Sequence, residues 1–184
     1  SALILILALQ SWTKADDVTK FEIEGISIGD SLLNFFSEQE IKNNTLPANY
    51  PKNNYMRRAY FKLENKIFEA IEIHYKTNDK KFIIYGILGS LFFKNFDNCY
   101  KKSKEISEDL KKLFPDIEVD IYEKKHAADK TGKSTNKGYI YWLTDQSFIN
   151  VACYDWSPEM RFKDHLRLSI VGKEFQEFLR LNYN

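Results

Sequence analysis

Residues 82–94 read FIIYGILGSLFFK, and apolar side chains fill both alternating sets of positions. A strand that is wet on one side carries a polar residue at every second place, so this one is predicted to run through the middle of a sheet with both faces covered. Gly86 and Gly89 let it bend. Working outward, 55–63 and 67–76 are rich in β-branched and aromatic residues, and Glu64-Asn65 and Thr77-Asn78-Asp79-Lys80 between the runs have turn composition. The three runs predict an antiparallel meander.

Downstream, Phe96, Cys99, Ser103, Ile106, Leu110 and Leu113 step by three and four while Lys and Glu take the other side. That spacing predicts a helix over 95–114, ended by Pro115. Further strands are predicted at 117–123, 138–144, 147–155 and 165–171, and a short helix at 173–182 carries Phe175, Phe178, Leu179 and Leu181. Upstream, FEIEGISI (21–28) reads as a strand with a bulge or bend at its glycine, and Asp30 as the N-cap of a helix reaching Ile41. The Asn- and Pro-rich stretch 42–54 reads as a loop. Residues 124–137 (KKHAADKTGKSTNK) hold no apolar side chain larger than alanine and read as a mobile basic loop. Strands and helices do not alternate regularly. The expected class is therefore α+β, a largely antiparallel sheet of seven to eight strands with two main helices and a short C-terminal one.

The chain starts with ALILILAL (2–9), uncharged and too short for the roughly 20 apolar residues of a membrane span. Followed by Thr13-Lys14-Ala15 before Asp16-Asp17, it reads as the end of a signal peptide occupying 1–15, with 16–184 as one soluble, periplasmic or secreted domain. The 184 residues carry 27 basic and 26 acidic side chains, a net charge of +1. Cleavage after Ala15 removes Lys14 alone and leaves a neutral domain, which has no global field to gather nucleic acid. Fourteen Phe and eleven Tyr supply large apolar area for a core.

The segment GISIGDSLLNFF (25–36), a short strand with Gly-x-x-x-Gly entering a helix, resembles the opening of helix-plus-meander units in the β-lactamase-inhibitor-like and outer-membrane-assembly lipoprotein folds. The resemblance implies two such units in tandem, and it extends broadly to small exported bacterial proteins; it brings no activity with it. Gly29-Asp30-Ser31-Leu32 also resembles the nucleophile block of the GDSL esterases. In that family a histidine in Asp-x-x-His activates the serine, and Gly-x-Asn helps to hold the oxyanion. Here Asp164 and His165 are adjacent, and Gly-x-Asn does not occur.

AADKTGKS (127–134) matches a relaxed phosphate-loop pattern but is followed by the strand YIYWLT rather than by a helix whose N-terminus could face phosphate. His74, His126 and His165 make no metal-ligand spacing with one another or with cysteine, so neither a metal nor another cofactor is expected. Tyr139 and Tyr141 on one strand, Tyr154 and Trp156 at the end of the next, and Lys130 and Lys133 in the basic loop are the candidate binding residues, an aromatic patch of the kind that holds sugar rings or extended peptides. Cys99 and Cys153 both fall on apolar faces, and they either form one disulfide or remain two separate buried thiols. The functional expectation is a non-catalytic protein that binds a protein or cell-envelope polymer, with no nucleic-acid partner and no membrane span. The alternative is a serine hydrolase built on Ser31, His165 and Asp164.

Overall fold

The computed structural model describes residues 17–47, 50, 52, 55–143 and 145–183. The expected signal peptide and its cleavage site lie outside them. The described chain is α+β, with ten strands: β1 (Glu22–Ile23), β2 (Ile26–Ser27), β3 (Thr45–Leu46), β4 (Met56–Lys62), β5 (Ala70–Lys76), β6 (Ile84–Phe92), β7 (Val119–Lys125), β8 (Thr135–Trp142), β9 (Phe148–Asp155) and β10 (His165–Val171). Three α-helices, α1 (Glu38–Asn44), α2 (Phe96–Leu113) and α3 (Lys173–Tyr183), accompany them. β1 and β2 form a small hairpin, and the other eight strands form one antiparallel sheet in the order β3-β4-β5-β6-β10-β9-β8-β7. The meander β4-β5-β6 is as expected from the sequence, and the second meander returns through β10 to pair with β6, so residues 84–92 are central.

Successive side chains of a strand point to opposite faces, and residues directly opposite across a ladder share one. Ile87 lies opposite Ile170, and Ile170 opposite Ile149. That face, with Ile71, Ile73, Leu166, Leu168, Val151 and Cys153, is the core side. It is covered by α1 against β4, the β1-β2 hairpin against β6, and α2 against β8, β9 and β10. The α2 face buried is Cys99, Ser103, Ile106, Ser107 and Leu110, the spacing read from the sequence. Cys99 and Cys153 meet there, fully buried, as a disulfide with Cα atoms 5.9 Å apart.

Among the described residues, a helix covers the opposite face at one end. There α3 lays Phe175 and Phe178 against Met56 and Val171. Gly86 makes this possible, because a Cβ on it would lie 2.4 Å from Phe175 Cδ1. The expectation that β6 is covered on both faces therefore holds at Gly86 and fails further along, where Ser90 and Phe92 are half-buried.

Three local readings are corrected. Residues 21–28 are not one bent strand. Glu24 and Gly25 both have positive φ (56° and 81°), which closes a two-residue hairpin turn between Ile23 and Ile26. The single helix expected from Asp30 to Ile41 is instead a 3-10 turn, Leu32–Asn34, followed by α1. Asp30 reaches back to accept from the Ser27 amide, Ser31 caps the 3-10 turn, and Ser37 with Glu40 forms a capping box that starts a new helix. Two competing caps split what the apolar spacing alone ran together. Finally, the loop expected over residues 124–137 is shorter at both ends. β7 runs to Lys125 and β8 starts at Thr135, and the shorter loop between them is tied by polar groups. The buried Asp129 carboxylate accepts from the Thr131 and Ser134 amides and hydroxyls and from the Ser157 hydroxyl, at 2.7–2.9 Å. These bonds, Ser134 foremost, hold Asp129 well below the usual carboxylate range.

Candidate functional site

The face of the sheet opposite the core is where chemistry-bearing side chains gather. Register places Ala70, Ser90, Arg167, Ala152, Gly138 and Tyr122 side by side across β5, β6, β10, β9, β8 and β7. Four of the six are Ala, Ser or Gly. Arg167 thus rises from a floor of short side chains extending roughly 19 Å from β5 to β8 at ordinary strand spacing. Gly138 is required there, since a Cβ would meet the Val151 carbonyl oxygen at 2.3 Å.

The next row toward α3 holds Tyr60, Glu72, Leu88, Ser169 and Asn150. Glu72 stands 3.8 Å from Arg58 and 3.1 Å from His74 Nε2, while the Tyr50 hydroxyl lies 3.0 Å from His74 Nδ1. His74 stacks on Phe175 with ring centres 4.1 Å apart, which locks the chain Tyr50–His74–Glu72–Arg58 against α3. Burial alone would raise the Glu72 carboxyl, but the His74 hydrogen bond and the charges of His74, Arg167 and Arg58 hold it down at about 2. Glu72 is therefore a fixed anion, 3.8 Å from Arg58 and held also by the charge of Arg167.

Arg167 differs. Among the described residues no carboxylate lies within ion-pair distance of it, and its guanidinium sits over the Tyr154 ring, 4.7 Å from the centroid. It is half-buried, and its charge is felt widely. Burial first and Arg167 second push His165 down to about 4, and the same two causes lower His126. Tyr122, whose hydroxyl donates to Asn150 at 3.2 Å, is pushed up to about 12, mainly by burial.

The row on the other side of Arg167 is His165, Tyr154 and Asn136. His165 and Tyr154 are stacked, 4.9 Å apart and 8° from parallel, and Trp156 stacks on Tyr154 at 5.9 Å. His126 packs on Trp156 at 4.4 Å and Phe162 meets it edge-on at 4.9 Å. The open face is thus bounded by α3 at one end and by this aromatic wall at the other.

The residues singled out from sequence are distributed differently from the expected patch. Tyr154 and Trp156 belong to the wall. Tyr139 and Tyr141 are on the core side, because Tyr139 lies opposite Val151 and Tyr141 opposite Ile149. Their hydroxyls bond inside the protein, Tyr139 with Tyr100 at 3.2 Å and Tyr141 with the Ser107 carbonyl at 2.8 Å. Lys133 is exposed and pairs with Glu159 at 2.5 Å; Lys130 is exposed on the same loop. The stretch matching a phosphate loop leads straight into β8, with no helix behind it. Ser31 and His165 are not brought together. Ser31 bridges Ile83, beside one end of β6, whereas His165 faces Phe92 at the other, nine residues or roughly 30 Å along a strand. The Ser31 hydroxyl donates to the Lys81 carbonyl at 2.6 Å, and Asp164 accepts from the Trp156 amide at 2.8 Å. Among the described residues no three His, Cys, Asp or Glu side chains gather as metal ligands.

The features missed from sequence were Arg167 and the short-side-chain floor. The visible signal was HLRLSIV, in which Arg167 and Ser169 alternate with Leu166, Leu168 and Ile170, the pattern of a strand covered on one face. A separate groove of about 530 Å³ lies at the far edge of the sheet between α1 and the β5–β6 turn, lined by Glu38, Lys42, Arg57, Asp79 and Lys80 among others. Its charges are mixed, and Glu38 and Lys42 pair with each other at 2.6 Å.

No protein-family model, curated protein or solved structure matches the chain.

Proposed function

We propose that this is an exported binding protein that holds a carboxylate-bearing partner on the open face of its sheet, with Arg167 as the anchor. The observation that carries the reading is Arg167 itself, a half-buried cation with no carboxylate within ion-pair distance among the described residues, standing above a row of small side chains. A guanidinium so placed has lost part of its hydration and gains most from a planar, bidentate anion. The fully buried Cys99–Cys153 disulfide supports an oxidising compartment, the periplasm or the cell exterior. No described helix is long and apolar enough to cross a membrane. Ser31, engaged with the Lys81 carbonyl and remote from His165, gives no support to a hydrolase.

Affinity capture from a cell-envelope extract tests the reading. Wild type, Arg167→Gln and Lys104→Gln are compared, the last removing the same charge from the exposed side of α2. Loss of the captured partner is expected for Arg167→Gln alone, with a fall of at least tenfold, as for a charge-assisted contact worth about 1.5–3 kcal/mol. Equal capture by all three proteins would contradict it.

A further inference from the structure

Three buried polar side-chain atoms have no hydrogen-bond partner among the described residues: Asn136 Oδ1, Trp156 Nε1 and His165 Nε2. All three belong to the aromatic wall beside Arg167. Asn136 and His165 flank Tyr154 on the two neighbouring strands, and Trp156 stacks on both Tyr154 and His165. Asn136 and His165 are each only 6% exposed. A buried polar atom left unpaired costs about 1–3 kcal/mol, so three in one cluster mark a place prepared for a polar guest.

The hydrogen-bonding character of the guest follows from the atoms. His165 Nδ1 lies 2.9 Å from the Lys163 carbonyl oxygen, which can only accept, so Nδ1 carries the ring proton and Nε2 offers a lone pair. Asn136 Oδ1 is a second acceptor, and Trp156 Nε1 is a donor. A carboxylate can answer the donor but neither acceptor. Hydroxyl groups answer all three, because each both donates and accepts. The surrounding surface is aromatic, with the Trp156 ring half-buried and Phe162 59% exposed, and such faces pack against the C–H faces of a sugar ring.

Taken with the Arg167 guanidinium over the adjoining Tyr154 ring, the geometry points to an acidic glycan as the ligand, its sugar hydroxyls held by Asn136, Trp156 and His165 and its carboxylate by Arg167. This rests on the proposal that Arg167 anchors a carboxylate and names the chemistry attached to it.

Calorimetric titration of the intact protein with oligomers of galacturonate, mannuronate and muramic acid, with uncharged maltotriose and with poly-L-glutamate tests it. At least one acidic oligosaccharide is expected to bind at least tenfold more tightly than maltotriose. Arg167→Gln should abolish that preference. Trp156→Phe, which keeps an aromatic ring and removes only the N–H, should weaken the acidic oligosaccharide about fivefold while preserving the charge preference. Arg167-dependent binding of poly-L-glutamate without binding of any acidic oligosaccharide would overturn the glycan and leave the anionic partner standing. Binding of neither would overturn both. Oligosaccharide binding unchanged by Trp156→Phe would overturn the assigned hydroxyl contacts.

Discussion

Reducing the Cys99–Cys153 disulfide should destabilise the fold by roughly 4 kcal/mol. The bridge joins α2 to β9 across 54 residues, and a loop of that length loses about this much chain entropy in the unfolded state when it is closed. The loss matters because typical domains are stable by only about 5–15 kcal/mol. Both cysteines are fully buried, so a reductant reaches them only through unfolded chains. Urea unfolding with and without dithiothreitol is the suitable measurement. At a slope of about 2 kcal/mol/M the midpoint should fall by roughly 2 M. The double variant Cys99→Ala, Cys153→Ala should fall further still, because it also leaves space where the sulfurs sat. Equal midpoints in oxidised and reduced protein would show that α2 is held on the sheet by packing alone.

Acid should destabilise the protein through His165, over a pH window set by that residue. Burial, aided by the charge of Arg167, lowers its pKa to about 4, against 6.5 in the unfolded chain. Above pH 6.5 the imidazole is neutral in both states and costs nothing. As pH falls from 6.5 toward 4 only the unfolded chain takes up the proton, so stability is lost across that interval and the loss levels off below pH 4. The full effect is roughly 3 kcal/mol, because every tenfold difference in proton affinity between the two states is worth about 1.4 kcal/mol. His126, lowered in the same direction, adds to it. Glu72 and Asp129 also lose stabilisation in acid, from the ordinary carboxylate values of 4.5 and 3.8 downward, so the loss above pH 5 belongs to the histidines. Unfolding free energies of wild type and His165→Gln at pH 7.5, 6, 5 and 4 should diverge in wild type's favour at high pH and converge as acid is added. Parallel curves would mean that the folded protein accepts the proton freely.

The sheet was legible in the sequence because its strands obey local rules. Period-two apolar patterning and turn-forming residues marked β4, β5, β6, β9 and β10 to within a few residues, and period 3.6 marked α2 and α3. Residues 82–94 announced a central strand because both faces are apolar. What local patterning could not supply was the identity of the two faces. Tyr139 and Tyr141 looked available for binding because alternation puts them together, but only the register opposite Val151 and Ile149 shows that they point into the core. The loop after β7 looked mobile because it lacks apolar area. The buried Asp129, with its ring of hydroxyls and amides, orders it by polar means that hydropathy does not detect. The site itself is non-local. Arg167, Ser90, Ala152 and Gly138 come from four strands and are neighbours only through the pairing of β10 with β6 and β9 and of β9 with β8.

The most direct test of the open sheet face as the binding surface is photo-crosslinking in intact cells. A photoreactive phenylalanine would replace Tyr60 or Tyr122 on the open face, or Lys104 or Glu108 on the exposed side of α2. Crosslinks to a shared partner from positions 60 and 122, lost on adding Arg167→Gln, and none from 104 and 108, are the expected result. Crosslinks from α2 with none from the sheet would contradict it.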